Sequence, residues 1–244
     1  MHNIFKHPAY ERIPEVGGEV FQKAYVDESL KRLDDEMAKF NFNPAFQEQL
    51  KPGDYFVEVP CGVGHQAYLM AKNLPDVRVF GFDVSKYAIE KGQELFSRDN
   101  LTLEVRDLYE GRVIPGNGII QCSYSLHELD LERAAMGLFN MIEGQGIVSF
   151  FDFNREYFVD QHDTRTWAAY RKATPNYRQL FAEDKIKVGD KIDRLTAMTM
   201  DSQIAAHPIE DILNAFQKAG FDEVDARPHP TDPKVIAGIA IKNN

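Results

Sequence analysis

Three acidic residues stand where side chains could do chemistry. Glu58, Asp83 and Asp107 each close or nearly close a short apolar run, in YFVEV, VRVFGFD and LTLEVRD. An ionised carboxylate is acceptor-only, so acids at three such ends suit a ligand that brings hydroxyl or amino donors. The first acid leads into PCGVGHQA, where Gly62 and Gly64 let backbone approach a ligand closely and adopt left-handed conformations that a side chain obstructs. A fourth run, GIIQCSYS, carries Ser123 and is followed by His127. An imidazole with an ordinary pKa of about 6.5 is mostly neutral at pH 7 and suited to remove a proton from an attacking hydroxyl or amine.

Such residues need a scaffold that brings strand ends together, and the pattern from 55 to 154 provides one. Strand YFVEV, a helix near 64–74, strand VRVFGFD, helix 86–98, strand LTLEVRD, strand GIIQCSYS, helix 131–143 and strand GIVSFFDFN follow in turn. After an interruption from 155 to 206 the rhythm resumes with helix 208–219 and strands 221–227 and 235–242. This alternation predicts an α/β, doubly wound, mostly parallel sheet of seven strands with helices on both faces. In such a sheet the ligand crevice lies at the carboxyl ends of the strands, where the strand order reverses. Upstream, Val26, Leu30, Leu33, Met37 and Phe40 recur at spacings of four and three, which predicts a helix over 18–40 with one apolar face. The domain expectation is an N-terminal helical lid segment at 1–50, and a ligand-binding domain at 51–244 that carries a cap insert at 155–206.

Composition excludes several classes. Hydrophobic residues at 43% and charged residues at 27% are ordinary for a globular chain, and no apolar run is long enough for a spanning helix. A formal net charge of −10 opposes broad attraction to a phosphate backbone, so nucleic acid is not expected as a partner. The opening MHNIFKHPAYERIPEVGG lacks the basic end, apolar core and cleavage site of a secretory leader. The two cysteines, Cys61 and Cys122, have neither disulfide-framework nor metal-ligand spacing. The expectation is a cytoplasmic protein without a metal. The Asp160, His162 and Asp163 cluster reads as a solvated loop.

Gly62, Gly64 and Ala67 match G-x-G-x-x-G/A, and Asp83 follows at the distance of the acid that holds a ribose in nicotinamide enzymes. Charge argues against a dinucleotide. A pyrophosphate would arrive beside Glu58, and no Lys or Arg occurs between 52 and 71. A cofactor with a sulfonium, an ammonium group and no phosphate reverses the sign, and S-adenosylmethionine (SAM) is one.

In VEVPCGVG, GFDVS, VRDLYE, the SYSLHEL run and the closing pair of strands, the chain resembles the class I, Rossmann-like SAM-dependent methyltransferases, over roughly 50–154 and 207–243. Pro60 stands where the family's first motif commonly has a glycine. The resemblance implies an antiparallel last strand and SAM as cofactor. It also implies ribose hydroxyls on Asp83, the adenine amino group on Asp107 with Leu108 beside the ring, the methionine tail passing Gly62 and Gly64, its ammonium near Glu58, and Ser123 completing the pocket. The activity it implies is methyl transfer, with His127 as the candidate base.

For the substrate side, Trp167, Tyr170, Tyr177 and Phe181 give the insert an aromatic character, and Trp167 and Tyr170 are the candidate substrate contacts. Residues 155–194 carry nine basic and seven acidic residues in an otherwise acidic chain. A small acidic or phenolic acceptor fits that balance. The alternatives are other SAM chemistry, of carboxy-SAM synthase or cyclase type, and a non-catalytic SAM-binding or partner-binding protein. Oligomeric state is not legible.

Overall fold

The structure, a computed structural model, describes residues 23, 26, 27, 30, 33, 48–157 and 206–243. Seven strands form one sheet: β1 (Tyr55–Glu58), β2 (Arg78–Asp83), β3 (Leu101–Val105), β4 (Gly118–Ser123), β5 (Gly146–Phe153), β6 (Glu223–Pro228) and β7 (Val235–Lys242). Their spatial order is β3-β2-β1-β4-β5-β7-β6. The first five pair in parallel, whereas β7 runs antiparallel to both β5 and β6. Among the described residues the connecting helices are α1 (His65–Asn73), α2 (Lys86–Leu95), α3 (Leu131–Met141) and α4 (Ile209–Ala219). The α/β reading and the antiparallel last strand are both met. Strand order reverses between β1 and β4, so a crevice is expected above Glu58 and Ser123.

Alternation along β1 shows how the sheet is buried on both faces. Tyr55 and Val57 join Ile120, Cys122, Leu138, Phe150 and Phe216 on the α3/α4 side. Phe56 joins Met70, Val79, Ile89 and Leu103 on the α1/α2 side. Glu58 continues the Phe56 side, under α1, because side chains alternate with period two. The helix starts follow side-chain chemistry: Ser85 Oγ accepts the Ala88 N–H at 3.2 Å to begin α2, and Asp130 accepts the Arg133 N–H at 3.2 Å to begin α3.

Gly92 sits inside α2, where a glycine ordinarily costs about 1 kcal/mol relative to alanine. Close approach explains it, since a Cβ there would stand 2.3 Å from the Val63 carbonyl oxygen. Gly92→Ala is therefore expected to destabilise the protein by about 1–3 kcal/mol despite alanine's better helix propensity, as a lowered melting temperature would show. An unchanged or higher melting temperature would mean that α2 does not rest on that loop.

The predicted N-terminal face is met as far as it is described. Val26 is buried with Val63, Ala88 and Phe96, and Leu30 and Leu33 pack beside them. Asp27 accepts a hydrogen bond from the Tyr87 hydroxyl at 2.7 Å, and Lys23 lies 5.4 Å from the centre of the same ring. Met37 and Phe40 lie outside the described residues, as do most of 1–50 and of the 155–206 insert. The two ends of the insert meet: Arg155 donates to the Ala206 carbonyl at 3.1 Å, and the Ile209 N–H donates to Glu156 at 3.3 Å. Among the described residues no helix is long and apolar enough to cross a membrane.

Candidate functional site

Above the ends of β1 and β2 the chain turns through Pro60–Gly64. Gly62 and Gly64 both take left-handed backbone, at φ 55 and 76. No atom of the described residues lies within 4 Å of where a Cβ would stand at Gly62, so its backbone is bare of them on that side, whereas a Cβ at Gly64 would strike Leu103. The loop is held from below by the Cys61 N–H donating to the Phe82 carbonyl at 2.8 Å. It is held from the side by Asp83, which accepts the Gly62 N–H at 2.8 Å with one oxygen and the Ser85 N–H at 2.8 Å with the other. Each of these oxygens keeps a further lone pair. Burial raises the Asp83 pKa to about 6, against the lowering effect of those N–H groups.

Glu58 is buried at 4% exposure and accepts the Ala67 N–H at 2.9 Å. Gly64, at the N-cap of α1, has no side chain to cap that helix, and the carboxylate arriving from β1 does so instead. Burial dominates its titration and pushes its pKa up to about 8; the Ala67 bond opposes this and the Asp83 charge adds to it. Two acids are thus held in a nearly dry crevice, and neither has a basic partner among the described residues. A cationic ligand would relieve both.

The other predicted cofactor residues lie at or just past the ends of β3 and β4. Asp107 lies two residues past β3, further than the sequence reading put it, and accepts the Tyr109 N–H at 2.8 Å to cap a 3-10 turn, Leu108–Glu110. Leu108 is buried in that turn. Ser123 ends β4, and its hydroxyl accepts from the Gln121 side chain at 2.9 Å. Trp167 and Tyr170 lie outside the described residues, as do Asp160, His162 and Asp163. Among the described residues no group of three or more His, Cys, Asp or Glu is placed to hold a metal ion.

His127 is held between two acids. It sits in a 3-10 turn, Leu126–Glu128, with 3% exposure, and its Nδ1–H donates to Asp152 on β5 at 2.7 Å. The other Asp152 oxygen accepts the His127 backbone N–H at 2.9 Å, and Nε2 lies 3.6 Å from Glu128. Burial disfavours the imidazolium, but the field and hydrogen bond of Asp152, helped by Glu128, outweigh it and raise the pKa to about 10. In the ligand-free protein the imidazole is thus held toward its protonated form, in which it has no lone pair to offer.

Asp152 is the residue the sequence reading missed. A lone acid inside the apolar run GIVSFFDFN is its signal, because a buried carboxylate demands a partner. Tyr124 was also missed. It is half exposed, and it is the one non-glycine residue with positive φ among the described residues.

The strand order with its antiparallel β7 is an arrangement that solved structures share. A plantazolicin methyltransferase, BpumL, bound to a triazolic desmethylPZN analog and S-adenosylhomocysteine (SAH), superposes with a TM-score of 0.60 at 13% identity, over 94% of this chain and 97% of that one. This is the class I SAM-dependent methyltransferase fold. No family model matches the chain. An S-adenosyl-L-methionine-dependent Diels-Alderase of Talaromyces variabilis is 25% identical over 138 residues, 53% of this chain and 44% of that protein. Ribosomal RNA small subunit methyltransferase H of Persephonella marina is 28% identical over 123 residues, 47% of this chain and 37% of that protein. The chain therefore spans less than half the length of these curated relatives in the matches.

Proposed function

We propose that the chain binds SAM at the carboxyl ends of β1–β4 and transfers its methyl group to a small-molecule acceptor. The observation that carries this is the pairing of a bare glycine loop with two acids, the buried Glu58 and the half-buried Asp83, that have no cationic partner among the described residues. The sulfonium and ammonium of SAM supply positive charge, its ribose supplies hydroxyl donors for Asp83, and it brings no phosphate to oppose Glu58. On this reading Asp107 meets the adenine amino group with Leu108 beside the ring, Ser123 closes the pocket, and the helix carrying Val26 backs the loop at Val63. The methyl carbon is already activated by the sulfonium, so the protein's work is alignment and exclusion of water.

A second reading, SAM-dependent chemistry other than methyl transfer, is favoured by the Diels-Alderase relative and by a His127 held protonated. SAH released per product formed separates the two, since methyl transfer leaves one SAH per product, whereas carboxylation of SAM or its use as a bound cofactor does not. Asp83→Ala is expected to weaken SAM binding by about 1.5–3 kcal/mol, the usual range for hydrogen bonds to a charged group. Calorimetry on the folded variant checks it. Unchanged affinity would remove Asp83 from the pocket, and tight NAD binding by the unaltered protein would revive the dinucleotide reading.

A further inference from the structure

Tyr124 directly follows the last residue of β4, one position past Ser123, at the crevice mouth. Its φ of 50 is a conformation that a bulky side chain rarely adopts. Such strain persists only where the surroundings over-determine it, and it gathers at ligand sites. The surroundings here are unusually complete. The Tyr124 N–H donates to the Phe151 carbonyl at 2.7 Å, and the Ser125 hydroxyl donates to the Ser123 carbonyl at 2.8 Å. Two residues on, Asp152 grips both the backbone and the ring of His127, while the His207 ring lies 3.1 Å from the Leu126 carbonyl. Beta strand, turn and the approach to α4 all converge to hold one tyrosine in an unfavourable conformation.

The result is an exposed ring at the mouth. Tyr124 is 49% exposed, and its hydroxyl makes no hydrogen bond among the described residues. The ring packs against Phe153 at 5.5 Å with a 57° tilt, and Phe153 in turn lies 5.2 Å from the His127 ring at 60°. This is a built aromatic surface of two rings with a supported back. Among the described residues the charges facing it come from Asp152 and Asp232, both within electrostatic reach of the Tyr124 hydroxyl, and from His127, whose positive charge is taken up by Asp152 and Glu128. A carboxylate ligand would meet net repulsion there.

We propose that Tyr124 and Phe153 form the acceptor platform, and that it takes a planar, conjugated ring that is neutral or cationic. The assignment rests on the small-molecule reading above and narrows it, because a flat π-surface rewards stacking and edge-to-face contact that a saturated molecule of equal size cannot make. It also turns the sequence expectation of an acidic or phenolic acceptor away from its acidic side.

The test uses 2-naphthol as the planar probe and decahydro-2-naphthol as its saturated counterpart, titrated into the full chain with and without SAH and read by ligand-observed NMR. Naphthol is expected to bind, the saturated alcohol to bind at least tenfold more weakly, Tyr124→Phe to retain binding, and Tyr124→Leu to lose it at least tenfold. Comparing melting temperatures of Tyr124→Gly and Tyr124→Ala checks the backbone; glycine is expected to melt a few degrees higher, which a relaxed conformation would not give. Equal binding to wild type and Tyr124→Leu, equal binding of the two alcohols, or no naphthol binding in either condition overturns the proposal. SAM calorimetry on the same proteins keeps the two readings apart. Failure of SAM to bind defeats the cofactor reading, whereas the SAH-free titration still decides the platform.

Discussion

Asp152→Asn is expected to lower stability by about 3–5 kcal/mol, because it removes one partner of a buried ion pair and leaves the other uncompensated. For a chain of this size that is a fall of roughly 6–20 °C in melting temperature. The asparagine carbonyl can still accept the His127 N–H that Asp152 accepts at 2.9 Å, so the loss falls on the ring, whose Nδ1–H loses its anion. With Glu128, at 3.6 Å, as the acid left beside the ring among the described residues, His127 is expected to shed its proton near neutral pH. The sign follows from linkage. A pKa raised from 6.5 to about 10 gives stability that is complete below pH 6.5 and is lost as pH rises through 10. The wild type should therefore lose its advantage over Asp152→Asn as pH climbs from 7 to 10. Adding His127→Asn to Asp152→Asn should recover part of the loss, since no charge then stays buried. Melts within about 2 °C of wild type for the single variant would mean that water reaches the pair and that the post-β4 turn is held by something else.

The sheet was legible because each of its strands carries its own signal: an apolar run, a breaker and, at three crevice positions, an acid. Asp83 was placed at the last residue of β2, where it stands. Asp107 was placed too early, because VRD reads as strand although Asp107's own cap on the Tyr109 N–H ends the pattern in a 3-10 turn. His127 shows what one chain cannot reveal locally. Its partner is 25 positions away, and pairing β4 with β5 in register, Ser123 beside Phe151, is what brings the post-β4 turn over Asp152. The backbone of Tyr124 carried no signal at all. Left-handed conformation is read from Gly, Asn or Asp, so an aromatic residue there is visible only when coordinates exist. Glu58 was placed at the end of β1, where it stands, but beside its proposed ammonium contact its cap on α1 went unread, because that helix begins at a glycine loop whose geometry the sequence does not state.

Glu58→Gln separates those two roles through pH. Glutamine keeps a side-chain oxygen that can accept the Ala67 N–H, so the cap on α1 survives while the charge is lost. In the ligand-free protein the Glu58 pKa stands at about 8 against 4.5 for the ordinary group, with burial as the main cause. The folded state thus binds a proton that the unfolded chain has released, and stability falls as pH rises from about 4.5 to 8, by about 1.4 kcal/mol for each unit within that window. His127 contributes a slope of the same sign above 6.5, and Asp83 one below 6, so only the difference between wild type and Glu58→Gln isolates Glu58. The variant is expected to match the wild type near pH 5 and to melt higher near pH 8. SAM should reverse the order of merit. An ammonium beside Glu58 favours its ionised form, so the shift in melting temperature that SAM causes should grow between pH 6 and 8 in the wild type and stay nearly flat in Glu58→Gln. Binding at pH 7 should also release a proton from the wild type alone, which calorimetry in buffers of different ionisation enthalpy would register. If the two proteins show the same pH slope without ligand, Glu58 is not a neutral buried acid; if they show the same response to SAM, the cation of the ligand lies elsewhere in the crevice.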